Sequence, residues 1–92
     1  MRIPLNKFGT LLNGRPAARE AALRLFQIIN GSADKEDVLL DFAGVEILTP
    51  SYASELLHLL KEKYGDKIKF ENIETPTVRD TLKAIENQYA IK

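Results

Sequence analysis

Few side chains in this sequence have the types and spacings that do chemistry, and most gather near the middle of the chain. Thr49, Ser51 and Ser54 bring three hydroxyls together where Pro50 marks the first turn of a helix. A helix N-terminus points unpaired N–H groups and a positive dipole end outward, so it tolerates an anion there. A phosphoryl group on Ser51 or Thr49 would add a charge near −2 and new acceptors. The plainer reading needs no modification: Thr49 caps the helix and Ser51 is solvated. Arg15 and Arg19 are four residues apart and can share a helix face. Together they could meet an anion such as a phosphate or acidic partner, or form an ordinary solvated face beside Glu20. Asp41 closes an apolar run. Phosphoryl acceptance there would need a further acidic pair to hold Mg²⁺ and a nearby lysine. No acidic pair follows the first strand, so Asp41 reads as an acceptor for loop N–H groups. His58 is the single histidine, off the apolar stripe of its helix and without a nucleophile to activate. The five glycines form neither a dinucleotide-binding fingerprint nor a P-loop. With no cysteine, disulfides, thiolate metal sites and cysteine nucleophiles are excluded. The expectation is a chain that is not an enzyme, with no metal and no cofactor.

These residues are positioned by three repeats of strand, loop and helix. Val38-Leu39-Leu40 is a continuous apolar run, the pattern of a strand covered on both faces. Gly44 then permits an unusual backbone angle, and Val45, Ile47 and Leu48 lead to the Thr49-Pro50 helix start. Ala53, Leu56, Leu57, Leu60 and Tyr64 fall on one stripe of that helix. Upstream, Ile3 and Leu5 alternate around Pro4, as in an edge strand. Thr10-Leu11-Leu12 either extends it or leads into a helix. Pro16 opens the first helix, whose inner face carries Ala18, Ala22, Leu25 and Ile29, widened by Ala21, Phe26 and Ile28. Asn30-Gly31 ends it, and a charged loop through Asp37 follows. Downstream, Gly65 closes the second helix. Ile68 and Phe70 alternate with Lys67, Lys69 and Glu71, as in a strand nearer the sheet edge, with Ile73 one step out of phase. Thr75-Pro76 repeats the helix-opening device, and Val78, Leu82, Ile85 and Tyr89 make the inner face of the last helix. The order β-α-β-α-β-α predicts an α/β fold: a small, mostly parallel sheet of three or four strands with about three helices. Ligands and partners meet such sheets beyond the carboxyl ends of the strands.

Ninety-two residues make a single domain, residues 1–92. Thirteen basic and thirteen acidic side chains cancel. No global field draws in nucleic acid or an anionic membrane, so any partner must be recognised locally. The opening MRIPLNKFG lacks the apolar core of a signal peptide and no apolar run approaches bilayer length, so a cytoplasmic location is expected. The Pro4 edge leaves homo-oligomer formation open.

The segment DFAGVEILTPSYASELL, with the apolar strand before it, resembles the STAS-like domain family of bacterial and phage-related proteins. The residues that carry the likeness are Asp41, Phe42, Gly44, Val45, Ser51, Tyr52, Ala53, Glu55 and Leu56. The pattern is related to that of the anti-sigma-factor antagonists. Those domains bind a kinase-like ATPase through the loop and helix start after the central strand, and are switched by phosphorylation of a serine there. On this resemblance Thr49 stands where an aspartate would be, Pro50 where the phospho-accepting serine would be, and Ser51 where a second serine would be. Pro50 has no hydroxyl, which separates binding from kinase switching in this chain. The resemblance implies a protein-interaction or regulatory domain whose partner-binding surface includes Gly44, Thr49, Pro50, Ser51, Tyr52 and Glu55. Ser51 and Thr49 are the candidate phosphorylation sites. An alternative is a small-ligand or nucleotide sensor that uses the same helix N-terminus edge with Arg15 and Arg19.

Overall fold

The computed structural model describes residues 1–30 and 36–89, the side chains of the last four aside. Gly31, the expected loop up to Lys35 and the side chain of Tyr89 lie outside the described residues. The strands are β1 (Arg2–Pro4), β2 (Leu11–Leu12), β3 (Val38–Asp41), β4 (Ile47–Leu48) and β5 (Ile68–Glu71). The helices are α1 (Arg15–Ile29), α2 (Pro50–Tyr64) and α3 (Pro76–Tyr89). Short 3₁₀ turns cover Leu5–Phe8 and Gly65–Lys67. The expected α/β fold with three helices and a mostly parallel sheet is therefore the one observed.

β3 is the central strand of a parallel sheet ordered β1-β3-β5, with Ile3 opposite Leu40 and Leu40 opposite Phe70. β2 and β4 form a second parallel pair, with Leu11 opposite Ile47 and Leu12 opposite Leu48. Two chain arms thus run side by side, part, and pair again. One arm parts through the 3₁₀ turn after Pro4, the other through the turn after Asp41. The two interruptions lie against each other. Gly44 has φ +84°, and a Cβ there would come within 2.9 Å of the Asn6 amide nitrogen. A side chain at this position would be strained by its positive φ and would have to push the Asn6 amide aside, so glycine is favoured.

Alternation along the strands divides the sheet into an inner and an outer face. Ile3, Val38, Leu40 and Ile68 are buried, whereas Arg2, Lys69 and Pro4 are exposed and Leu39 is half-buried between them. The expectation that β3 is covered on both faces is corrected here. Leu39 has the aliphatic stems of Arg2 and Lys69 for strand neighbours rather than a second helix layer. The helices build the other side of the core: Ala18, Ala21, Ala22, Leu25 and Ile29 from α1, Leu56, Leu57 and Leu60 from α2, and Val78, Leu82 and Ile85 from α3. The alanines of α1 let it lie close beside α2. Phe26 caps that contact, edge-on to Tyr64 at 6.1 Å and beneath the Lys63 ammonium at 4.9 Å. Ile28, expected to widen the buried face, is instead 39% exposed.

α3 has a second task. Thr81 Oγ1 donates to the Leu48 carbonyl at 2.9 Å, and Thr77 Oγ1 accepts from the Leu48 N–H at 3.2 Å while donating to the Glu46 carbonyl at 3.3 Å. Two threonines one helical turn apart therefore occupy the edge of β4 that faces away from β2. Beyond β5, Asn72 adopts φ +56° and turns the chain out of the sheet. Ile73 consequently falls outside the strand and is half-buried against the core.

Candidate docking site at the start of α2

Thr49 is the hinge pin of the expected site. Its backbone is extended (φ −81°, ψ 153°), and its hydroxyl accepts from the Tyr52 N–H at 3.4 Å, as an N-cap should. The same oxygen lies 3.4 Å from the Gly14 N–H, from the Leu12 carbonyl and from Ser51 Oγ. One hydroxyl thus ties the start of α2 to the end of β2 and the start of α1. It is committed to structure, whereas Ser51, also half-buried, meets only the Thr49 hydroxyl among the described residues.

Asp41 does what its place at the strand end suggested. Its Oδ1 accepts from the Ala43 N–H at 2.9 Å and from Asn72 Nδ2 at 2.7 Å. Those bonds, that from Asn72 foremost, hold the carboxyl below its ordinary range despite burial to 8% exposure. The carboxylate bridges the turns that follow β3 and β5.

The structure gives Tyr52, the Arg15–Arg19 pair and Glu55 surroundings that their spacing did not show. Tyr52, expected on the docking surface, is 2% exposed, its ring packed among the core side chains. It stands at the N-terminal end of the apolar stripe with Ala53 and Leu56, and burial pushes its phenol up to about 12. Arg15 and Arg19, read as either an anion-binding pair or a solvated face, are paired within the chain. Arg15 Nη1 and Arg19 Nε each lie 3.2 Å from a different oxygen of Glu55. Glu55, expected to face a partner, is therefore held between two guanidinium groups with its side chain 17% exposed. Partial desolvation pushes its carboxyl up, but the hydrogen bonds from Arg19 and Arg15 outweigh this and the net displacement is downward. The trio clamps α1 to α2.

Of the other candidate residues, Gly44 and Pro50 are exposed and Ser51 is half-buried. To these the structure adds two residues that sequence reasoning missed. Leu11 and Ile47, directly paired across β2 and β4, are 61% and 45% exposed. Their neighbours Leu12 and Leu48 point into the core. In strands only two residues long no alternation can be recognised, so nothing in the sequence separated the inward leucines from the outward pair. His58 is exposed, and no group of His, Cys, Asp or Glu among the described residues is arranged to hold a metal ion. No helix among the described residues is long and apolar enough to cross a membrane.

The turn after β3, the capped start of α2 and the flanking strands all fall within a family match. Residues 19–78 match the model of the STAS-like domain of unknown function, DUF4325. The chain belongs to this STAS-like family. The match runs from the second turn of α1 to the first turn of α3, so it takes in β3, the Gly44 turn, β4, α2 and β5. Comparison with curated proteins and with solved structures yields no match. In this STAS-like domain, β1, β2 and most of α3 lie outside the matched segment, yet they supply Leu11 and the Thr81 bond to β4.

Proposed function

We propose that this STAS-like domain is a non-enzymatic interaction module that docks a protein partner through the surface after its central strand. The observation that carries the reading is the outward pair Leu11 and Ile47, 61% and 45% exposed, beside the exposed Gly44 and Pro50 and the half-buried Ser51. Apolar side chains held outward on a rigid strand pair, rimmed by hydroxyl and backbone groups, are the makings of a small interface. The partner fitting the family resemblance is a kinase-like ATPase or an anti-sigma-like protein. A phosphoryl group on Ser51 would stand at the positive end of α2 and alter that interface without unfolding the domain.

The sensing alternative through Arg15 and Arg19 would require an anion to displace Glu55 from both guanidinium groups, and nothing in the geometry favours it. The test is affinity capture from the source cells with the wild-type domain beside an Ile47→Glu, Ser51→Glu variant. A protein retained by the wild type and lost by an equally stable variant is the expected result. Equal retention by both would move the interface elsewhere.

A further inference from the structure

A pocket of about 250 Å³ opens between the first 3₁₀ turn, β2 and α1, with Tyr52 of α2 among its walls. Phe8, Leu12 and Ala21 supply apolar lining, and Lys7, Arg24 and Glu20 bring charge to it. Two features set it apart from an incidental dimple. Tyr52 is 2% exposed overall and forms part of the pocket wall, where its hydroxyl is not among the buried oxygens left without a partner. The hydroxyl is not sealed from solvent, and a ligand atom in the pocket would take the place of solvent beside it. Lys7 and Arg24 likewise take part in no ion pair among the described residues.

We propose that this pocket binds a small monocarboxylate with an apolar body. The two cations and the carboxylate of Glu20 leave a single positive charge at the pocket, which suits a monoanion and opposes a phosphate dianion. Tyr52 supplies a neutral O–H donor, kept protonated through the physiological range because burial holds its phenol at about 12. The apolar part of the ligand lies against Phe8, Leu12 and Ala21. The volume equals that of about eight liquid waters at ~30 Å³ each, below the range of drug-sized sites. The ligand is therefore of the size of an arylacetate or a branched short-chain acid. Leu11 lines this pocket as well as belonging to the protein-docking surface, so the two adjoin, but the ligand site does not rest on the docking reading.

The experiment is an amide-resolved NMR titration with phenylacetate, 4-methylpentanoate, 2-phenylethanol and inorganic phosphate. The expected result is saturable shifts from an acid at residues 7–12, 17–24 and 52. The alcohol, which keeps the ring and loses the charge, should bind about tenfold more weakly, as should phenylacetate to Tyr52→Phe. Arg24→Gln, at an exposed position, should erase the preference for acid over alcohol, and this holds as a test should Tyr52→Phe not fold. Acid and alcohol binding equally, or phosphate binding as well as the acids, would overturn the ligand class. No acid shifting these amides below roughly 10 mM would overturn the site.

Discussion

Replacing Asp41 with alanine removes the shared acceptor of the Ala43 N–H and the Asn72 amide at one stroke. Hydrogen bonds to a charged acceptor contribute about 1.5–3 kcal/mol each when the donors are left without a substitute. Chemical denaturation of Asp41→Ala should show a loss of about 2–3 kcal/mol, and Asn72→Ala a smaller one. Because the folded carboxyl lies below its unfolded value of 3.8, its contribution is complete above that value and fades as pH falls through the lower folded one. The Asp41→Ala variant should lack this acid-side loss. Tyr52 has the opposite sign. Its phenol, raised from 10.0 to about 12, stabilises the fold below the unfolded value, and this is withdrawn as pH climbs through the folded one. Denaturation curves between pH 9 and 12 should show the wild type losing roughly 2–3 kcal/mol more than Tyr52→Phe. At this scale sequence reading was uneven. The local bonds of Asp41 to Ala43 and of Thr49 to Tyr52 were legible because they join backbone two and three residues on, whereas their ties to Asn72, Leu12 and Gly14 were not. Tyr52 was not, because a tyrosine beside a capping residue looks the same whether its ring turns outward or in. Nor were Arg15 and Arg19, whose partner is forty and thirty-six residues away on another helix.

Elements were read best where proline and periodicity agree. All three helices open at or next to the expected prolines, and β1, β3 and β5 occupy the edge, centre and edge that their patterns implied. β2 and β4 were the failure at this scale. Each is two residues long, and their pairing depends on the 3₁₀ turn and the Gly44 turn nesting together. Gly44→Ala should therefore destabilise the domain by about 1–3 kcal/mol, through strain at positive φ and contact with Asn6. Combining it with Asn6→Gly should return the part due to contact alone, and thermal melts of the three variants would separate the two. The bond from α3 to β4 is equally open to test. Thr81→Val leaves the Leu48 carbonyl without its partner and should cost about 1–3 kcal/mol. Hydrogen exchange at the amides of β4 should accelerate in parallel, even though the substitution lies on a different element.

Seen whole, the molecule has helices on one side of its sheet and an outer side where Arg2, Lys69 and Pro4 remain exposed. Family membership was legible from the central segment alone, since the matched residues 19–78 are those in which strand, turn and helix start follow one another. The surface on which a partner would rest was legible only in outline. Gly44, Pro50 and Ser51 were anticipated, while Leu11 comes from a strand far away in sequence. Leu11→Lys with Ile47→Glu, which puts opposite charges on the paired positions, should leave stability unchanged to within about 0.5 kcal/mol, because both side chains already face solvent. A large drop in melting temperature would show instead that the pair supports the fold. The threonines of α3 carry a last consequence. An unpaired strand margin is a template on which other chains can nucleate, and Thr77 and Thr81 blunt that margin on β4 with hydroxyls in place of a backbone. Whatever peels the final helix away, whether proteolysis, truncation before Thr77 or a competing partner for its apolar face, turns a guarded border into a recruiting one. Self-assembly detected by light scattering would be the first sign that the guard had been removed.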